Sequence, residues 1–190
     1  MKRICIFCAS SPRIPQIYFD DARRLATIMA DRGMELVYGG GEVGLMGALA
    51  DVMLERGAGV IGVIPRFMVE VEWQHRGVAD MRLTETMAER KKMMIELSDA
   101  IITLPGSTGT LDELFEAAGD KKLGLINKPI VILNTNDFYD NQIAQLQRMV
   151  DENFMTQAHM DKIAIARTPE EAIELCCQTQ TPTSLTEAQL

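Results

Sequence analysis

Short apolar runs alternate with longer amphipathic stretches along the whole chain. Residues 3–8, 35–38, 59–64, 100–103, 129–134 and 163–166 are rich in Ile, Val and other apolar side chains and are too short for helices. Turn-forming residues bound most of them, so each predicts a buried strand, and a weaker one falls at 81–83. Between them apolar positions recur at helical spacing, predicting helices over 16–32, 44–56, 86–97, from 111 onward, 138–153 and 169–177. Pro65 closes the third strand, because proline cannot donate to the ladder. Residues 66–78 are the least regular and predict a loop with a short helix. Residues 179–190 are polar and predict a loose tail.

Strand–helix alternation of this kind requires crossover connections. It therefore predicts a single-domain α/β fold over residues 1–178, a Rossmann-like parallel sheet with helices on both faces. Ligands of such sheets sit beyond the carboxyl ends of the strands. Three strand-end segments there are chemically unusual: Cys8-Ala9-Ser10-Ser11, the glycine run at 39–44, and residues 105–110.

The last of these is the most informative. The apolar run at 100–103 breaks into Pro105, Gly106, Ser107, Thr108, Gly109 and Thr110, then restarts as a helix with Leu111, Leu114, Phe115 and Ala118 on one face. A strand-to-helix turn of small residues aims several backbone N–H groups at one point. The helix dipole adds positive potential there, which suits a phosphate. Gly106 and Gly109 allow close approach, and Ser107, Thr108 and Thr110 can add hydroxyl donors.

Two charged residues carry competing explanations. Arg90 projects from a stripe formed by Met87, Met93, Met94 and Leu97, so its guanidinium either snorkels, pairs with a carboxylate, makes an interface contact or meets a bound anion. Its neighbour Lys91 is expected on a solvent-facing rim. Glu113 fits a T-x-x-E capping box with Thr110, a purely structural role; it also lies off the apolar face, where it could meet a ligand. The glycine run matches the G-x-G-x-x-G dinucleotide fingerprint at Gly39, Gly41 and Gly44. It follows the second strand, however, and no acidic residue ends the next one, so close packing or approach to another ligand accounts for it as well.

Composition narrows the classes. With 190 residues the chain is long enough for one well-formed core, and 47% hydrophobic with 24% charged residues is ordinary for a globular protein. A net charge of −8 argues against non-specific nucleic-acid binding. No apolar stretch reaches the roughly 18 residues of a membrane span, and the first residues lead straight into a strand, which points to the cytoplasm. Cys5 and Cys8 fall on opposite faces of one strand, and Cys176 and Cys177 are adjacent, so all four are expected as buried, reduced thiols. His75 and His159 are isolated, and no metal site is expected.

Together these segments resemble the Lonely Guy family, the cytokinin-activating phosphoribohydrolases once misnamed lysine decarboxylases. The family's P-G-G-x-G-T-x-x-E matches Pro105 through Glu113 except at its second glycine, here Ser107. Its M-x-x-R-K element matches Met87, Arg90 and Lys91. The G-G-G-x-x-G-L-M-G stretch spans 39–47, and the opening has Ala9 where the family usually has Gly; the likeness runs over about residues 2–177. The resemblance implies hydrolysis of the N-glycosidic bond of a nucleoside 5′-monophosphate, with Arg90 and Glu113 as the catalytic pair. It implies substrate contacts from Gly106, Ser107, Thr108, Gly109, Thr110, Lys91, Met87, Ser10 and Gly40. It also implies no cofactor, no nucleic-acid or membrane partner, and a homodimer with a shared active site. Ser107 would strain the turn if that position has positive φ, and would simply add a hydroxyl if it does not; the second is the expectation.

Overall fold

A computed structural model describes residues 2–69 and 74–178. Seven parallel strands form one sheet: β1 (Arg3–Phe7), β2 (Glu35–Tyr38), β3 (Val60–Pro65), β4 (Asp80–Thr84), β5 (Ala100–Thr103), β6 (Ile130–Leu133) and β7 (Ile163–Ala166). Their order across the sheet is β4-β3-β2-β1-β5-β6-β7. The helices are α1 (Gln16–Asp31), α2 (Gly44–Glu55), α3 (Met87–Glu96), α4 (Thr108–Lys122), α5 (Asp140–Asp151), α6 (Gln157–Met160) and α7 (Pro169–Cys177). A 3-10 turn at Arg66–Met68 occupies part of the irregular segment, whose residues 70–73 lie outside the described residues, as does the expected tail at 179–190.

Strands covered on both faces need apolar side chains at every position, and Ile4, Cys5, Ile6 and Phe7 of β1 are all buried. Period-two alternation divides the core. Ile4, Ile6 and Cys8 pack with α1, α2 and α7, whereas Cys5 and Phe7 pack with α3, α4 and α5. The thiols are free; three are buried, but Cys177 is exposed, because the last turn of α7 turns it away from the sheet that covers Cys176.

The T-x-x-E pattern caps helices in two places. Thr86 accepts from the backbone of Glu89 at 3.1 Å while Glu89 accepts from Glu85 N–H at 2.9 Å, at the start of α3. Thr168 and Glu171 repeat the arrangement at α7. Of the two readings left open for Glu113, the capping box with Thr110 does not apply. α4 begins at Thr108 with Ser107 as its N-cap, so Thr110 already lies inside the helix and Glu113 is released from that duty. The predicted apolar face of α4 is likewise rotated: Thr110, Glu113, Leu114, Ala117 and Lys121 are buried, and Phe115 is 44% exposed.

Between β6 and α5 the chain passes through Asn136 and Asp137, both with positive φ (52° and 56°). Side chains outside glycine adopt this region at about 1–2 kcal/mol each. Hydrogen bonds from Thr135 to Asp21 (2.6 Å) and from Arg167 to Asp137 (2.5 Å) hold the turn.

Candidate active site

In the strand order, β1 lies between β2 and β5, so the chain leaves β1 toward one side and β5 toward the other. A crevice opens at such a switch point beyond the strand ends. The loops that follow β1, β2 and β5 meet there. Ala9 N–H donates to Pro105 O at 3.2 Å, Leu45 N–H to Ala9 O at 3.0 Å, and Leu104 N–H to Phe7 O at 2.9 Å. The resulting cleft, of about 180 Å³, is lined by Cys8, Ser10, Gly39, Met46, Met68, Met87, Arg90, Met94, Ser107, Gly109, Thr110 and Glu113.

Arg90 enters from α3 and is 4% exposed. Its Nε donates to Val63 O at 3.1 Å and its Nη2 to Gly39 O at 2.9 Å, so the guanidinium is fastened to the ends of β3 and β2. Backbone carbonyls as anchors were absent from the sequence-based alternatives for this residue. They explain Gly39, where a Cβ would stand 2.0 Å from Arg90 Nη2. Gly44 and Gly47 also serve packing: at Gly44 a Cβ would meet the Ser10 backbone at 2.5 Å, and at Gly47 it would meet Glu42 O at 2.0 Å. Of the fingerprint glycines, Gly39 thus makes room for Arg90 and Gly44 lets α2 approach the β1 loop.

Glu113 reaches the same cleft from α4 and is 9% exposed. Both charged groups bear on the β1 floor. Burial pushes the Cys5 thiol well above its usual range, Glu113 adds to the rise, and Lys128 and Arg90 oppose it. No acidic residue occupies the first turn of α4, so its N-terminus stays electropositive, with the N–H groups of Thr108, Gly109 and Thr110 lacking partners within the helix. A Cβ at Gly109 would meet nothing within 4 Å. This glycine is not required by protein packing, and it lines the cleft.

Ser107 has φ −91° and ψ −163°, ordinary extended backbone, so the departure from the family glycine carries no left-handed strain. Thr108 and Gly106 border the turn without lining the cleft; Gly106 packs over the first helical turn, where a Cβ would stand 2.1 Å from Thr110 Oγ1. Gly40 also lies off the cleft, with φ 81° beside Met81 and Ile64. Lys91 differs most from expectation. Instead of facing solvent it is buried, and its Nζ pairs with Asp112 at 2.9 Å and with Glu116. The hydrogen bonds to Asp112 and then Glu116 raise its pKa, and these pairs tie α3 to α4. Met46 and Met68 were not singled out for the cleft; the Leu45-Met46 step within the glycine-rich match was the available signal for the first.

A doubly wound α/β protein with an anion-directed helix start and an Arg–Glu cleft at its switch point is the class these features define. The family model described as "Possible lysine decarboxylase" matches residues 46–176. The chain is 37% identical over 173 residues to the cytokinin riboside 5′-monophosphate phosphoribohydrolase of Rhodococcoides fascians, covering 90% of this chain and 87% of that one. It is 36% identical over 174 residues to the Arabidopsis thaliana enzyme of the same name, LOG2, covering 92% and 82%. Among solved structures, the molybdenum cofactor carrier protein of Chlamydomonas reinhardtii shares the fold (TM-score 0.69, 20% identity, 91% and 94% covered). So does the molybdenum cofactor binding protein of Rippkaea orientalis (0.68, 23%, 92% and 95%). The chain belongs to the possible-lysine-decarboxylase family, the Lonely Guy group that its motifs resemble.

Proposed function

We propose that this protein is a nucleoside 5′-monophosphate phosphoribohydrolase, which adds water across the N-glycosidic bond of AMP or an N6-modified adenosine monophosphate to give free base and ribose 5-phosphate. The observation that carries this reading is the meeting of Glu113, Arg90 and the first turn of α4 in one cleft. The phosphate docks on the N–H groups and hydroxyls at Ser107 to Thr110, and remote binding energy places C1′ toward Glu113. Breaking the bond builds oxocarbenium character on the ribose. The Glu113 carboxylate stabilises that charge, and orients and deprotonates the attacking water. Arg90, anchored by Val63 O and Gly39 O, supplies a fixed positive charge for phosphate and carboxylate. Hydrolysis of this kind balances with water alone, so no cofactor enters the proposal.

A cytoplasmic homodimer with a shared active site accompanies this reading. Phe67, beside the cleft-lining Met68, is 62% exposed, an apolar side chain next to the cleft that suits contact with a second copy. A non-catalytic nucleotide sensor of the same fold is not favoured. The relatives at 36–37% identity bear hydrolase names, whereas the cofactor carriers at 20–23% share the fold alone. Incubation with AMP and with N6-isopentenyl AMP, followed by chromatography of the free base, tests the reading. Wild type releases base, and Glu113→Gln binds nucleotide without releasing it. Full turnover by Glu113→Gln would remove that carboxylate from the mechanism.

A further inference from the structure

The expected site draws on the loops after β1, β2 and β5, yet the carbonyl that begins the phosphate turn is held from a fourth direction. Tyr139 is fully buried, and its hydroxyl donates to Leu104 O at 2.8 Å, the carbonyl directly before Pro105. The other end of the residue is equally fixed. Tyr139 N–H donates to Asn134 Oδ1 at 2.7 Å, and Asn134 Nδ2 donates to Asp140 Oδ1 at 2.8 Å. Phe138 packs edge-on against its ring with centroids 4.9 Å apart, and Phe138 packs in turn on Tyr18 of α1. The left-handed pair Asn136–Asp137 lies just before the two rings, in the turn that brings Tyr139 to the end of β5.

Burial pushes the phenol well above its usual pKa. Cys8 and, more weakly, Glu113 add to that rise, and the backbone of Gly106 opposes it. The phenol therefore stays protonated and keeps donating to Leu104 O across the working pH range. Pro105 has no N–H, so the turn has one backbone donor fewer with which to fix itself.

We infer that Tyr139 is the positioning residue of the phosphate turn: its hydroxyl, through Leu104 O, holds residues 104–107 in the conformation that presents the start of α4 to a sugar phosphate. The inference rests on the proposed phosphoribohydrolase reading and names a residue that its chemistry does not touch. Without the hydroxyl the competent turn is populated only part of the time, and apparent affinity falls by that fraction while the bound state is unchanged.

Tyr139→Phe keeps the ring and removes one oxygen. The KM for AMP is expected to rise about ten-fold with kcat within about two-fold, and competitive inhibition by ribose 5-phosphate to weaken by the same factor, from a buried acceptor left unsatisfied. Calorimetric binding of ribose 5-phosphate reports the same loss without turnover. A residue that only supports the fold would lower Tm and leave KM and inhibition unchanged. KM and ribose 5-phosphate affinity within two-fold of wild type would overturn the inference. A wild type that neither cleaves AMP nor binds ribose 5-phosphate would overturn the phosphoribohydrolase reading, and this inference with it.

Discussion

Substituting Gly39 by alanine tests how tightly the placement of Arg90 is specified. Gly39 lacks a left-handed φ, so alanine introduces no backbone strain and the perturbation is one methyl group. That Cβ would stand 2.0 Å from Arg90 Nη2 and 3.1 Å from both Arg90 Cζ and Met46 Sδ. Ordinary contact is about 3.5 Å, so the guanidinium must retreat by roughly 1.5 Å. It thereby gives up its 2.9 Å bond to Gly39 O. Losing a charged hydrogen bond costs about 1.5–3 kcal/mol, and at about 2–4 °C per kcal/mol for a chain of this size Tm should drop by roughly 3–12 °C. Displacing a catalytic group by more than about 1 Å costs on the order of 100-fold in rate. Base release from AMP should therefore fall by about that factor in kcat/KM while circular dichroism still shows a folded protein. Undiminished activity in Gly39→Ala would show that Arg90 need not occupy this position, and its assigned role would fail.

Other consequences are more local. Gly119 lies inside α4, without positive φ and with nothing within 4 Å of an added Cβ, so Gly119→Ala should stabilise by about 0.5–1 kcal/mol in denaturant titration with activity unchanged. Thr168→Ala removes the cap that accepts from Glu171 N–H at 3.2 Å, and should lower stability by about 1 kcal/mol without altering base release. The Lys121 pKa is lowered to about 8, chiefly by burial and then by the Lys162 charge, against about 10.4 in the unfolded chain. The unfolded state thus binds more protons between those values, and stability contributed at this site rises with pH from about 8 to about 10. In Lys121→Met this rise is lost, so stability relative to wild type should fall as pH increases over that window; a constant difference would contradict the shift.

How much of this was legible in the sequence follows from how local each feature is. Strands such as 35–38 and 163–166 match their expected bounds because both faces of a parallel strand are apolar and the run announces itself. Helix starts depend on backbone detail. T-x-x-E marks true caps at Thr86 and Thr168, but the same pattern at Thr110 sits two residues inside α4 because the chain enters the helix at Ser107. That offset also rotated the expected face and hid why Glu113 is buried. Arg90 was visible as a charge set in an apolar stripe and Glu113 through its T-x-x-E pattern and the family motif, and the structure brings both to one cleft. Lys91 was misplaced because its partners, Asp112 and Glu116, lie on another helix, beyond the reach of periodicity. Tyr139 could not be found from pattern, since its acceptor Leu104 O is thirty-five residues away and the turn that delivers it uses non-glycine residues at positive φ.

A crystal structure of Glu113→Gln soaked in AMP addresses the central claim most directly. The account predicts phosphate oxygens within hydrogen-bond distance of the backbone N–H groups at Ser107 to Thr110, with C1′ turned toward the side chain at 113. Nucleotide bound elsewhere, or an empty turn with residue 113 directed away from any ligand, would contradict it.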